Sequence, residues 1–179
     1  NTNEKAMSDN GRSGVPVMLD WEWARAWIGV GWELRNRRIW VKGGALPHIN
    51  PISDLVDESC EMLMTFSRPG QNEGGQERTN KNWAQMGYWN DIAGVGENVV
   101  GNDHPAPYPV EIPSRFIQLY SCNRDAIADP FLGSGSTLIA CERLGRVCYG
   151  MEIEPRYVQV TIERWQNYTG QKAVKIGYA

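Results

Sequence analysis

Apolar and polar positions along this chain follow two different periods. Cys60, Met62, Met64 and Phe66 alternate with Glu61, Leu63 and Thr65 before Pro69-Gly70, the two-residue period of a strand closed by a turn. From Trp21 to Trp32 the spacing is helical, with Trp23, Trp27 and Val30 on one predicted face, and Arg37–Val41 follows with β character. The prolines of HPAPYPVEIP fix an extended segment that leads into a predicted helix over Ser114–Tyr120, presenting Phe116, Leu119 and Tyr120 together. Beyond it the pattern is β then α, twice. Ala126–Asp129 reads as a strand, Ser136–Leu144 as a helix, and Val147–Ile153 as a strand. Pro155 to about Tyr168 reads as a helix with Val158, Ile162 and Trp165 on one face. Strand, glycine-rich turn, helix and strand form the core of a right-handed βαβ unit, so the expected class is α/β with a mostly parallel sheet and ligands at the carboxyl ends of its strands.

Two stretches fall outside these periods. The opening NTNEKAMSDNGRSG has no periodic apolar face and reads as a loop, a processed end or the edge of a fragment. Residues 70–102 are polar and glycine-rich with isolated aromatics at Trp83, Tyr88 and Trp89, a length that in a compact domain marks a functional or disordered segment.

Bulk properties narrow the class. A chain of 179 residues with 41% hydrophobic positions suits one domain with a real core. A net charge of -3 argues against a wholly basic nucleic-acid binder while leaving room for a local basic patch. Cys60, Cys122, Cys141 and Cys148 form no CxxC pair and have no histidine at metal-ligand spacing, so free thiols in a reducing cytosol are expected and no metal. The sequence holds no apolar run near the ~18 residues of a membrane span and opens with no signal-peptide pattern, so a cytoplasmic location is expected.

The sharpest chemistry lies in DPFLGSGSTLIACERLG, Asp129 to Gly145. A nucleotide-triphosphate loop needs GxxxxGK[ST], but Ser136 stands where the lysine belongs; a nicotinamide fingerprint needs GxGxxG, and Leu138 occupies the third glycine's place. What remains is a tight turn with Asp129 at its strand end and Glu152 at the end of the next strand. Glu152 lies 17 residues past Gly135, near the ~20-residue offset at which an acid meets ribose hydroxyls. A carboxylate at the first strand end suits a ligand ammonium and repels a pyrophosphate. Together the loop and acids favour an adenosine carrying a cationic amino-acid tail, which describes S-adenosyl-L-methionine.

DPFLGSGST followed by GRVCYGMEIEPRYVQVTIERW closely resembles the cofactor-binding motif and next strand-helix of bacterial DNA amino-methyltransferases. HPAPYPVEIPSRFIQLYS resembles the segment that enzymes of the β arrangement place just before the glycine loop, and RRIWVKGG and ESCEMLMTFSRPG look like late strands of the family's sheet. The resemblance runs from about Trp21 to Gly170 and is strongest from His104 onward. It implies a Rossmann-like, mostly parallel methyltransferase sheet, incomplete in this chain. Residues 70–102 would be a target-recognition-like insertion and 104–170 the cofactor-binding part of a single partial domain. It implies that Asp129, Pro130, Phe131, Gly133, Ser134, Gly135, Ser136 and Thr137 surround the methionine part of S-adenosyl-L-methionine. Glu152 would hold the ribose, Ile153 would pack on the adenine, and Ala106, Tyr108 and Pro109 would form the opposite wall.

The implied reaction transfers a methyl group to N6 of adenine or N4 of cytosine in DNA. The target base must be flipped out and gripped, which the family does with a [DNS]PP[YFW] motif. No such motif occurs in the sequence; Asp129-Pro130-Phe131 and Ala106-Pro107-Tyr108 each lack part of it. The chain therefore reads as the portion that follows the catalytic loop, with no catalytic residue of its own. A second chain or an amino-terminal segment would supply the motif; alternatively the chain is a non-catalytic DNA-binding or subunit-interaction module that retains the fold. Arg38, Lys42, Arg78 and Lys81 are the candidate phosphate contacts, and Arg35, Arg37 and Arg68 could extend them. Trp83, Tyr88 and Trp89 are expected to pin a long loop rather than stack on a flipped base, and His104 to order its turn rather than act as a base.

Overall fold

The computed structural model describes residues 19–42, 60–70, 81–92 and 108–177. The chain groups into two compact units, Asn1–Glu73 with Met86–Asn90 and Gly74–Gln85 with Asp91–Ala179.

The first unit holds helix α1 (Leu19–Gly29) and the strands β1 (Glu33–Val41), β2 (Cys60–Ser67) and β3 (Tyr88–Trp89), in sheet order β2-β1-β3. β1 runs antiparallel to β2 and parallel to β3. β1 begins four residues before the expected Arg37, because Glu33 and Leu34 already pair with Ser67 and Phe66. The expected apolar face of α1 is corrected. Gly31 at φ 91° turns the chain just past the helix end, Val30 falls outside the helix and is 75% exposed, and the buried position is the small Ala24. Trp27 stacks on Phe66 at 6.2 Å and meets Trp32 edge-on at 5.2 Å. Trp89 is fully buried, with the guanidinium of Arg38 5.6 Å from its ring centre.

The second unit holds α2 (Glu111–Tyr120), β4 (Ala126–Asp129), α3 (Ser136–Leu144), β5 (Val147–Gly150) and α4 (Pro155–Thr169). β4 and β5 are parallel in register from Ala126↔Val147 to Asp129↔Gly150. β5 stops at Gly150, three residues before the expected Ile153, because β4 folds back after Asp129: the Phe131 N–H, next in line toward β5, donates to the Asp129 carboxylate instead, and Leu132 takes the Met151 carbonyl. α2 starts at Glu111, three residues early, since Pro113 sits in the first turn where no intrahelical donor is needed. Ile117, Ala140 and Cys141 form the core, and Val110, Ile127, Leu144 and Cys148 pack against it. Cys60, Cys122, Cys141 and Cys148 are all free thiols. Arg146, buried, donates to the carbonyls of Ser121 (2.8 Å) and Leu144 and to the Ser121 hydroxyl (3.1 Å), tying the carboxyl ends of α2 and α3 together. None of the described helices is long and apolar enough to cross a membrane.

Candidate functional site

The site grows from the carboxyl ends of β4 and β5. Asp129 ends β4, and its Oδ1 accepts from the Phe131 N–H at 3.0 Å, folding the chain back at once. Leu132 then donates its N–H to the Met151 carbonyl and Met151 to the Asp129 carbonyl, both at 2.9 Å, so the two strand ends stay stitched while the loop rises between them. Gly133 and Gly135 take positive φ, 55° and 84°, a conformation that glycine adopts without a side-chain penalty. Gly135 caps α3 with no side-chain hydrogen bond, so the N–H groups of the first helical turn open onto the loop.

Glu152 is the second anchor. One carboxylate oxygen accepts from the Gly133 N–H at 2.8 Å and the other from the Glu154 N–H at 2.9 Å. Beside it Ile153 is 97% exposed, and across the strand ends Phe131 is 79% exposed. These are large apolar surfaces at the rim of a polar turn.

Tyr108 comes in from the segment before α2. Its hydroxyl lies 3.0 Å from the Thr137 hydroxyl and 3.4 Å from Asp129 Oδ2, and its carbonyl accepts from the Ser136 hydroxyl at 2.8 Å. Burial is the main cause that lifts the phenol above its ordinary value; the Asp129 charge adds to this, against the Thr137 hydrogen bond. The ring is therefore a neutral donor at physiological pH. Tyr108, Asp129 and Thr137 form the polar end of a cavity of about 270 Å³ that continues along Ile112, Phe116, Ile117 and Ile127.

The second unit thus brings together Tyr108, Asp129, Phe131, Gly133, Ser134, Gly135, Ser136, Thr137, Glu152 and Ile153, with Pro109 and Pro130 adjoining. Ala106, Arg78 and His104 lie outside the described residues. The basic candidates are arranged differently. In the first unit Arg38 is buried against Trp89 and Lys42 pairs with Glu61 at 2.6 Å. Lys81, in the second unit, is exposed. Trp83 and Trp89 are buried, while Tyr88 is half exposed. Two residues that sequence reading missed touch the loop from α4: Thr161 donates to the Gly133 carbonyl at 2.8 Å and Arg164 to the Ser134 carbonyl at 3.0 Å. In the sequence they are one polar residue and one arginine of an amphipathic helix, with nothing to mark a contact made about thirty residues away.

Comparison with known proteins agrees with this geometry. The model of the N6/N4 DNA methylase family matches residues 9–163. The type II methyltransferase M.BglI of Bacillus subtilis is 33% identical over 139 residues, 73% of this chain and 38% of the relative. M.Cfr9I of Citrobacter freundii is 27% identical over 152 residues, 84% of this chain and 50% of the relative. The chain therefore spans half or less of the length of these two relatives. Among solved structures, TTHA0409 of Thermus thermophilus, assigned as a DNA modification methylase and complexed with S-adenosyl-L-methionine, superposes with a TM-score of 0.68. It is 26% identical, and the match covers 90% of this chain and 64% of that one. The cytosine-N4-specific PvuII DNA methyltransferase shares the fold, with a TM-score of 0.72 at 22% identity over 87% of this chain and 60% of that one. The glycine turn between parallel strands, its acid at the second strand end and the family match over most of the sequence lead to one conclusion: this chain belongs to the N6/N4 DNA methylase family.

Proposed function

We propose that this chain is the cofactor-binding and recognition portion of an S-adenosyl-L-methionine-dependent DNA methyltransferase that modifies N6 of adenine or N4 of cytosine. The observation that carries this reading is the junction of Gly133 with Glu152, where a lysine-free glycine turn and a carboxylate meet at the ends of two parallel strands.

The residues present fit the ligand. Glu152, fixed at the strand ends beside the glycine turn, would hold the ribose hydroxyls, Ile153 offers an uncovered apolar face to the adenine, and Asp129 supplies negative charge for the ammonium. Tyr108 and Thr137 hold the side of the site nearest Asp129. The bound ligand would supply an electrophilic sulfonium methyl; the residues of this chain bind and orient it.

DNA is the proposed partner, with residues 70–102 as the recognition segment and Arg78 and Lys81 as its phosphate contacts. Arg38 and Lys42 are weaker candidates, one being buried and the other ion-paired. A [DNS]PP[YFW] motif would come from another segment or a second chain, and the setting would be cytoplasmic. Absence of that motif from these 179 residues also supports a second reading, a DNA-binding or subunit-interaction module that keeps the fold.

Calorimetry tests both. On the first reading the purified chain binds S-adenosyl-L-methionine, and Glu152→Ala abolishes or strongly weakens that binding. Failure of the parent to bind, with DNA binding retained, would favour the module.

A further inference from the structure

The geometry points to Thr161 and Arg164, one turn apart on α4, as positioning residues that set the peptide planes of the Gly133-Ser134-Gly135 turn. This rests on the proposed cofactor site.

Residues three apart on a helix share a face, and here that face meets the turn. The Thr161 side chain, in a residue only 5% exposed, donates to the Gly133 carbonyl at 2.8 Å. Arg164 Nη1 donates to the Ser134 carbonyl at 3.0 Å and lies 3.3 Å from the Ser136 hydroxyl and 3.5 Å from that of Ser134. Two consecutive carbonyls are thus drawn to α4. In a planar trans peptide the N–H points opposite to the carbonyl. Holding the Gly133 carbonyl therefore turns the Ser134 N–H away from α4, and holding the Ser134 carbonyl aims the Gly135 N–H back toward Leu132, whose carbonyl it meets at 3.0 Å. Packing supports the hydrogen bonds: a Cβ on Gly135 would lie 2.8 Å from the Thr161 methyl, so helix and turn approach as closely as a glycine permits. Glu152 holds the same turn from the β5 side through the Gly133 N–H. The turn is gripped at an N–H from one side and at two carbonyls from the other, which presets the direction of its donors before any ligand arrives.

The test uses the 179-residue chain and the variants Thr161→Val, Thr161→Ser and Arg164→Met. Two readouts apply: S-adenosyl-L-methionine affinity by calorimetry, and amide hydrogen exchange of Ser134 and Gly135 without ligand. Thr161→Val and Arg164→Met are expected to weaken binding about tenfold each, the size set by loss of one part-buried hydrogen bond, and to speed exchange at Ser134 and Gly135. Thr161→Ser, which keeps the hydroxyl, should match the parent. If Arg164→Met does not fold, the Val and Ser variants at 161 decide the matter. Parent-like affinity and exchange in Thr161→Val would overturn the inference. A parent that binds no S-adenosyl-L-methionine, while Thr161→Val still speeds exchange, would overturn the cofactor reading and leave the brace standing.

Discussion

Arg115, in the second unit, is a buried cation with partners on several sides. Its side chain is 4% exposed, it meets Asp91 through two nitrogens at 2.8 and 2.9 Å and Glu111 at 3.0 Å, and its guanidinium lies 4.9 Å from the ring centre of Trp83. A single buried cation thus fastens the segment around Trp83 and Asp91 to α2. The hydrogen bond from Arg115 is the main cause that holds the Asp91 carboxyl below its ordinary value of 3.8. A carboxyl depressed in the folded state stabilises the fold above its unfolded value, and that contribution is lost as pH falls through the folded value. Asp91→Asn should therefore lower the melting temperature at pH 7, with the gap to the parent closing as pH drops below 3.8. Because the Asp91 side chain is 55% exposed, the effect should stay under about 1 kcal/mol. Arg115→Met should cost more, about 1–3 kcal/mol by urea melting, since it removes both ion pairs and the ring contact. A pH-independent gap for Asp91→Asn would refute the assignment. None of this was legible in the sequence, where Arg115 is one basic residue of an amphipathic helix and its main partner lies 24 residues upstream. Glu152 was legible, because its spacing from the loop is a local property of a βαβ unit.

At the scale of elements, glycine turns separate two kinds of constraint. Gly135 has φ 84° and would place a Cβ 2.8 Å from the Thr161 methyl; Gly170, the cap of α4, has φ 72° with nothing within 4 Å. Alanine at 170 meets the left-handed backbone penalty alone, about 1 kcal/mol. Alanine at 135 adds a collision with a buried side chain and should cost about 2–4 kcal/mol while also weakening S-adenosyl-L-methionine binding. Chemical denaturation of the two variants measures the difference; equal losses would mean that α4 yields freely and does not hold the turn. Periodicity predicted β4 and α3 at their observed bounds, α4 within a residue and β2 over its alternating run from Cys60 to Phe66, because each is set by local pattern and by punctuation such as Pro155 and Gly145. It erred where a neighbour decides. Pairing with β2 extended β1 back to Glu33, and the turn that Asp129 makes with the Phe131 N–H cut β5 short at Gly150. Gly31 ended α1 before Val30, and the helix buries Ala24 while Trp23, on the predicted apolar face, is 59% exposed.

At the scale of the molecule, the parallel pair in the second unit is covered unevenly. Ile127 and Cys148 point into the core beneath α2 and α3, whereas Val147 is 47% exposed, Tyr149 65% and Met151 65%. Parallel sheets are ordinarily covered on both faces, so these three side chains display a face on which another layer would rest. The chain also contains the proposed cofactor turn but no [DNS]PP[YFW] motif to grip a flipped base. Ligand binding and methyl transfer should therefore separate. In an assay of radiolabelled methyl transfer from S-adenosyl-L-methionine to plasmid DNA, these 179 residues should bind the donor yet transfer nothing above background. Transfer should appear when a polypeptide carrying the motif is supplied, and Tyr149→Glu should suppress that gain while sparing donor binding, since it places a charge on the face that the second polypeptide would cover. Methylation by the chain alone would show that residues other than that motif can hold the target base, and would make the exposed face irrelevant to catalysis.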